Sequence, residues 1–368
     1  AEDMAGRDAI VVGSGINGLV CAALLARKGK RVTLLEREAE IGGCLRTGEI
    51  TAPGFVHDLM ATTFVLFLVG PAHAALASDL ERHGVVFCHP DHPTGVLRPD
   101  GAAAVLTRDR AANIAMLDAL TPGDGAGFAA GVGAVEKNAP LIFALLGQDL
   151  WSRRTAWLMA REAWRRGPRN LAAFFGEALA PARAWLEDAF ASDTSRALFA
   201  PWVLHTGLGP ESAYSAEMAR VIAFSLEVAG APIVQGGAGR FLDAMRRIIE
   251  ENGGEVRTGA DVERILAKGG IVRGVRLAGG EELRATHVIA SVTPTQLHER
   301  LLEKPGKAEA TQAARYRYGK GNFQLHYALD RPPQWMTPGL DKVALLHLTP
   351  GLDGVSKAAN EAERGMLP

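Results

Sequence analysis

The start of the chain constrains its fold more than any other stretch. A short apolar run, Asp8-Ala9-Ile10-Val11-Val12, feeds without a gap into Gly13-Ser14-Gly15-Ile16-Asn17-Gly18 and then into the helix-forming stretch Leu19 to Ala26. Four consecutive apolar residues stopped by a glycine turn read as a buried parallel strand. The helix is expected to end at Lys28-Gly29-Lys30, a basic last turn with a glycine. A second apolar strand, Arg31 to Leu35, closes on Glu36, about twenty residues past the glycines, where a dinucleotide-binding βαβ unit places an acid. In such a unit Gly13 permits the tight turn, Gly15 lets the backbone approach a diphosphate, and Gly18 lets helix and strand pack closely. The diphosphate then meets free N–H groups at the positive end of a helix. Glu36 is placed to accept hydrogen bonds from ribose hydroxyls and to repel a 2′-phosphate, which argues against NADP. Glycine-rich turns also arise for packing alone; the flanking strand, helix and acid single out the nucleotide reading.

The residues after Glu36 narrow the choice of nucleotide. In Arg37-Glu38-Ala39-Glu40-Ile41-Gly42-Gly43-Cys44-Leu45-Arg46-Thr47 a second glycine pair comes just after the acid, and Pro53-Gly54-Phe55-Val56-His57-Asp58 lies a few residues further on. The combination resembles the FAD-binding amine oxidase and phytoene dehydrogenase superfamily, most nearly its phytoene dehydrogenase-like oxidoreductases. The resemblance implies FAD as cofactor, with Gly13, Gly15, Asn17, Gly18, Glu36, Arg37, Gly42, Gly43 and Arg46 around it. It also implies an α/β fold: a Rossmann-like FAD-binding domain of the glutathione-reductase type, with an inserted α+β substrate domain that is largely helical. Two departures stand out. Cys44 occupies the position where relatives often carry Arg or Lys, which leaves Arg46 to supply the cation. Met60-Ala61 stands where carotene desaturases have Gly-Pro, which weakens the case for a carotene.

A second match lies far along the chain. Pro232 to Arg240 precedes a helical stretch, Phe241 to Asn252, with Phe241, Leu242, Met245, Ile248 and Ile249 at helical spacing. Strand-like runs come next at 255–258, 261–265, 271–277, 282–283 and 287–291. In the superfamily this order is a helix, a sheet strand, a three-stranded excursion and a strand that ends beside the flavin. The resemblance gives Val262 the adenine and Ser291 the cofactor edge. It divides the chain into an FAD-binding domain, 1–90 with 232–300, and a substrate domain, 91–231 with 301–368. Met60 and Thr62, on the apolar run 59–70, and His205, in a His-Thr-Gly stretch, are substrate-cavity candidates. So are Lys320 and Asn322, which alternate with Gln324 along an expected strand at 315–329. A structural role remains the alternative reading for each. Val343 to Leu348 is expected as a neighbouring strand, Val85 to Cys88 as another, and 95–106 as a hairpin turning at Asp100-Gly101.

The remainder bounds the function. The 368 residues, 48% of them hydrophobic, allow two domains with sizeable cores. A net charge of −1 gives no electrostatic reason to expect nucleic acid. The three cysteines, Cys21, Cys44 and Cys88, indicate neither a disulfide framework nor zinc, and His89, Asp91 and His92 fall in a proline-rich loop, so no metal is expected. Ala1 to Arg7 has no apolar targeting core, and Met4 is a candidate native start, so a cytoplasmic protein is expected. Within the helical insertion, Trp151 to Asn170 interleaves three tryptophans and six arginines with a single acid, Glu162. Such a mixture suits peripheral contact with an anionic membrane. On a helical wheel, however, Arg153 and Arg161 flank Trp157 and Trp164, and a solvated helix anchored by its tryptophans is the favoured reading.

Three function classes follow from the resemblance. The first is a flavoenzyme that dehydrogenates, saturates or isomerises carbon–carbon bonds of a lipophilic, polyene-like molecule by hydride exchange with flavin N5. The second is a flavin amine oxidase, which needs an aromatic cage or an acid for the substrate nitrogen and is disfavoured by an aromatic content of 6%. The third is an FAD-binding partner protein without catalysis. Relatives close with a glycine-rich segment leading into a helix, and Gly365 to Pro368 ends before one. The resemblance therefore implies a flavin site completed by residues beyond Pro368.

Overall fold

The computed structural model describes residues 6–367; the start expected at Met4 lies outside the described residues. In chain order, β1 (Arg7–Val12), α1 (Ile16–Arg27) and β2 (Val32–Leu35) form the expected strand–helix–strand unit. A short antiparallel pair comes next, β3 (Thr47–Gly48) with β4 (His57–Asp58), then α2 (Val65–Leu68), α3 (Pro71–Arg82) and β5 (Phe87–Cys88). The hairpin of β6 (Thr94–Leu97) and β7 (Ala103–Leu106) turns at Asp100-Gly101 as read, with Gly101 at φ +84.

Seven helices then run to residue 229: α4 (Arg110–Leu120), α5 (Asp124–Gly147), α6 (Arg153–Arg166), α7 (Pro168–Ala178), α8 (Ala182–Ala189), α9 (Asp193–Phe199) and α10 (Ser215–Ala229). Asp109 caps α4, accepting from the N–H groups of Ala111 and Ala112 at 2.8 and 3.1 Å, so the first turn is held without help from its neighbours. The chain continues through β8 (Ile233–Val234), α11 (Gly239–Glu251), β9 (Glu255–Arg257), β10 (Val262–Lys268), β11 (Ile271–Leu277), β12 (Glu282–Ala290) and α12 (Lys307–Ala314). It closes with β13 (Leu345–Leu348) and α13 (Leu352–Glu363).

These elements gather into two units, Ala1–Cys88 with Ile233–Ala328, and His89–Pro232 with Leu329–Pro368. The first is built on a six-stranded sheet ordered β10-β11-β12-β1-β2-β9. β12, β1, β2 and β9 run parallel, whereas β10, β11 and the first half of β12 run antiparallel. Successive side chains of β1 point to opposite faces. Ala9 and Val11 pack under α1 and α11, against Leu19, Phe241, Met245 and Ile248, whereas Ile10 and Val12 pack against Val262, Val275 and Leu283. A strand covered on both faces needs the uninterrupted apolar run that β1 carries. In the second unit a three-stranded sheet, β13-β6-β7, is covered by helices. Its core holds Phe128, Phe199 and Phe190 stacked in series at 5.7 and 5.3 Å. Among the described residues only α5 is long and apolar enough to cross a bilayer, and its Phe128, Val132 and Val135 are buried against neighbouring elements.

Four expectations are corrected. The runs at 282–283 and 287–291 are one strand, because β12 changes partner along its length, pairing with β11 up to Arg284 and with β1 from Ala285. Residues 315–329 join no ladder, Arg315 being the helical cap of α12, and β13 pairs with β6 instead. Residues 301–328 fall in the first unit, where the resemblance put them in the second. Trp151 to Asn170 is two helices, since Gly167 at φ +83 followed by Pro168 ends α6 and opens α7.

Candidate functional site

The glycine turn and Glu36 meet at the ends of β1 and β2. Glu36 is 9% exposed. Its Oε2 accepts from the Ser14 N–H at 3.0 Å and the Ser14 hydroxyl at 2.5 Å, and its Oε1 accepts from the Glu38 N–H at 3.0 Å. Burial pushes the Glu36 carboxyl upward, and the donors of Glu38, Ser14 and Arg37 more than offset it, so the group titrates below the usual carboxylate range. Two carboxylate oxygens offer about four acceptor directions. Three are filled by the bonds just described and the Arg37 N–H also holds the group, so most of its accepting capacity is met from within the protein.

The turn itself is tightly built. Gly13 sits at φ +95, and a Cβ there would meet the Ser291 carbonyl oxygen at 2.7 Å; a Cβ at Gly18 would collide with the Gly13 carbonyl oxygen. At Gly15 nothing lies within 4 Å of a Cβ, so that position faces open space. No side chain caps α1, its first turn carries no acid, and its first internal bond is from the Leu19 N–H to the Gly15 carbonyl. The preceding first-turn N–H groups are therefore unspent. An uncapped helix end beside an open glycine is suited to an anion such as a diphosphate.

Gly42 and Gly43 belong to the same cluster. The Gly42 N–H donates to the Ser14 hydroxyl oxygen at 3.0 Å, and a Cβ on Gly43 would lie 3.3 Å from the Cα of Gly15. The glycine pair is needed where the two loops touch. Arg46 bends back, its Nε donating to the Gly43 carbonyl at 3.3 Å, and Arg37 is exposed and paired with Glu38 at 3.2 Å. The segment leading to Val262 is stitched to the acid: the Ala260 N–H donates to the Glu36 carbonyl and the Gly259 N–H to the Glu38 carbonyl, both at 2.8 Å. Val262 is 4% exposed.

Asn17 and Ser291 come together on an open cleft of about 660 Å³ between α1 and the end of β12, together with Gly18, Cys21, Thr293 and Tyr316. Burial pushes the Cys21 thiol up, consistent with a packing role. Two residues that the sequence pattern did not single out hold the site together. Ser14 is fully buried and joins Glu36 to Gly42. Asp58 accepts from the Ala238 N–H at 2.9 Å and the Thr62 hydroxyl at 2.6 Å, tying the 53–62 loop to the turn before α11. Neither had a signal beyond a small hydroxyl between glycines and an acid after a His.

Of the substrate candidates, Met60 and the 315–329 segment do meet, because the Gln324 amide donates to the Met60 carbonyl at 2.8 Å. Lys320 and Asn322 lie on that segment, Asn322 exposed and Lys320 half-buried. His205 lies in the second unit, with its ring 4.4 Å from Trp202 and 5.7 Å from His347. Burial pushes His205 down, and burial together with the neighbouring His205 holds His347 down at about 4.

The flavin containing amine oxidoreductase family profile matches residues 16–359. The chain belongs to this family. The cofactor of this family member is FAD, and the glycine turn, Glu36 and the uncapped helix fit it. Two curated relatives are similar over most of the chain. A limonene dehydrogenase subunit from Castellaniella defragrans is 26% identical over 91% of this chain and 61% of its own length. The zeta-carotene-forming phytoene desaturase of Myxococcus xanthus is 27% identical over 89% of this chain and 61% of its own. The chain thus spans about three fifths of the length of these relatives. Among solved structures, an oxidoreductase from Methanosarcina mazei superposes with a TM-score of 0.59 at 18% identity, over 84% of this chain and 64% of that one. A putrescine oxidase does so at 0.51 and 19%, over 84% and 63%. Both share the α/β fold.

Proposed function

We propose that the family member containing this chain is an FAD-dependent oxidoreductase that changes the saturation of carbon–carbon bonds in a lipophilic, isoprenoid-like molecule. The observation that carries the cofactor site is Glu36, a buried carboxylate held ionised by Ser14, Glu38 and Arg37 beside the uncapped first turn of α1 and the open position at Gly15. In this reading Glu36 fixes a ribose hydroxyl, the first turn of α1 beside Gly13, Gly15 and Gly18 holds the diphosphate, and the Val262 backbone flanks the adenine. Gly42 and Gly43 keep the second loop against the first, and Asn17, Arg37, Arg46 and Ser291 border the bound molecule. When bound, the flavin supplies two-electron chemistry, accepting a hydride equivalent from carbon. Met60, Thr62, Lys320 and Asn322 are the residues of the first unit assigned to the substrate. The substrate class is supported by the relatives, which act by name on limonene and phytoene.

Anaerobic mixing of the FAD-loaded protein with a monoterpene, a carotene and a diamine tests the reading. Bleaching of the flavin absorbance by a hydrocarbon and not by the amine is expected. Bleaching by the amine alone would replace the proposal with an amine oxidase. No bleaching by any of the three would leave a flavin-binding partner protein.

A further inference from the structure

We propose that the outer face of α6, continued by Leu150 and Trp151 before it, is a docking surface for an anionic lipid bilayer. The helix is turned inside out relative to an ordinary surface helix. Its buried positions are polar, Thr155 and Glu162, whereas Trp157 and Trp164 are 64% and 89% exposed. With about 100° between successive residues, the two tryptophans lie side by side on the crest, roughly opposite the two buried groups. Trp151 is 96% exposed and Leu150 56%. A solvated helix anchored by its tryptophans would hide these rings, and none of the three is hidden. Each is a ring that would lose about 150–250 Å² of surface to water if covered.

The charge around the rings selects the partner. Arg154, Arg161 and Arg165 are exposed on one shoulder of the crest, and Arg153 is exposed on the other, with Ala156 and Ala160. Arg153 and Arg154 have no ion-pair partner among the described residues, and the Arg161 guanidinium lies 5.2 Å from the centroid of the Trp157 ring. Glu162, the only acid from Trp151 to Asn170, is turned inward and neutralised by Arg165 at 2.6 Å and Arg166 at 2.8 Å. Hydrogen bonds from Arg165, and then Arg166, hold its carboxyl down at about 2 against the opposing effect of burial. The face is therefore cationic and aromatic, on a chain whose net charge is −1. Indole rings settle at headgroup depth, and guanidinium groups beside them reach lipid phosphates.

Flotation of the purified protein with vesicles of phosphatidylcholine alone, and of phosphatidylcholine mixed with phosphatidylglycerol, tests this. Binding to the mixed vesicles, a blue shift of tryptophan emission and release by salt are expected. Trp157→Ser with Trp164→Ser should abolish flotation. Each of Arg153→Gln and Arg154→Gln should weaken it about fivefold. All four changes lie on the exposed face, so thermal melts should match the parent protein. Absence of flotation, equal flotation with both vesicle types, or full flotation of the double tryptophan variant would overturn the proposal. So would binding to a single-stranded oligonucleotide without binding to vesicles.

Discussion

Replacing Glu36 by Gln tests the cofactor site at its most constrained atom. The side chain keeps its size, but one oxygen becomes an amide nitrogen that can only donate. In the parent, Oε2 receives the Ser14 N–H and hydroxyl, and Oε1 the Glu38 N–H. Either orientation of the amide therefore sets donor against donor. A hydrogen bond to a charged group contributes about 1.5–3 kcal/mol, and a buried donor left without a partner costs about 1–3 kcal/mol. Loss of a charge-assisted bond from a ribose hydroxyl to Glu36 should raise the FAD dissociation constant about 10–150-fold. The mismatch at Ser14 should separately lower the apoprotein's stability by about 1–3 kcal/mol. Flavin fluorescence titration measures the first, and denaturant unfolding without flavin the second. A dissociation constant within about twofold of the parent's would refute the placement of ribose at Glu36. A loss of affinity with unchanged apoprotein stability would show that the internal donors are not spent on this carboxylate.

Gly15→Val should leave the fold intact, since nothing lies within 4 Å of the new Cβ, yet yield protein without flavin; a yellow variant would place the diphosphate elsewhere. Ser14→Ala removes the hydroxyl that joins Glu36 to Gly42 and should cost about 1.5–3 kcal/mol, seen as a lower denaturant midpoint that recovers only in part with excess FAD. His347 titrates near 4 when folded and at about 6.5 when unfolded. As pH falls from about 6.5 to 4 the unfolded chain therefore binds a proton that the folded chain refuses, and stability drops by up to about 3 kcal/mol while staying flat above about pH 7. The denaturant midpoint of the parent should fall relative to that of His347→Phe as pH drops through that window, and parallel curves would refute the assignment.

The parts of the molecule that the sequence determined by itself are those written within one continuous stretch. β1, the glycine turn, α1, β2 and Glu36 occupy 30 consecutive positions, 7–36. Each residue's task there depends on steric limits of its own backbone and on neighbours one turn away. The hairpin at Asp100-Gly101 and the position of α11 were legible for the same reason. What the tertiary structure decided involves a partner far along the chain. Period-two alternation at 315–329 describes one strand's faces, but a strand exists only where a second edge supplies N–H and C=O groups, and none meets this one among the described residues. β12 reads as two strands in sequence and is one, because two different partners share its length. Ser14 became the hinge of the site only when Gly42, 28 residues away, came within 3.0 Å of its hydroxyl, and Asp58 when Ala238 did so across 180 residues. The tryptophans of α6 have the same order on a helical wheel whether they face a core or water. Which side of a helix is buried is set by the surface it packs against, and that surface comes from the rest of the unit.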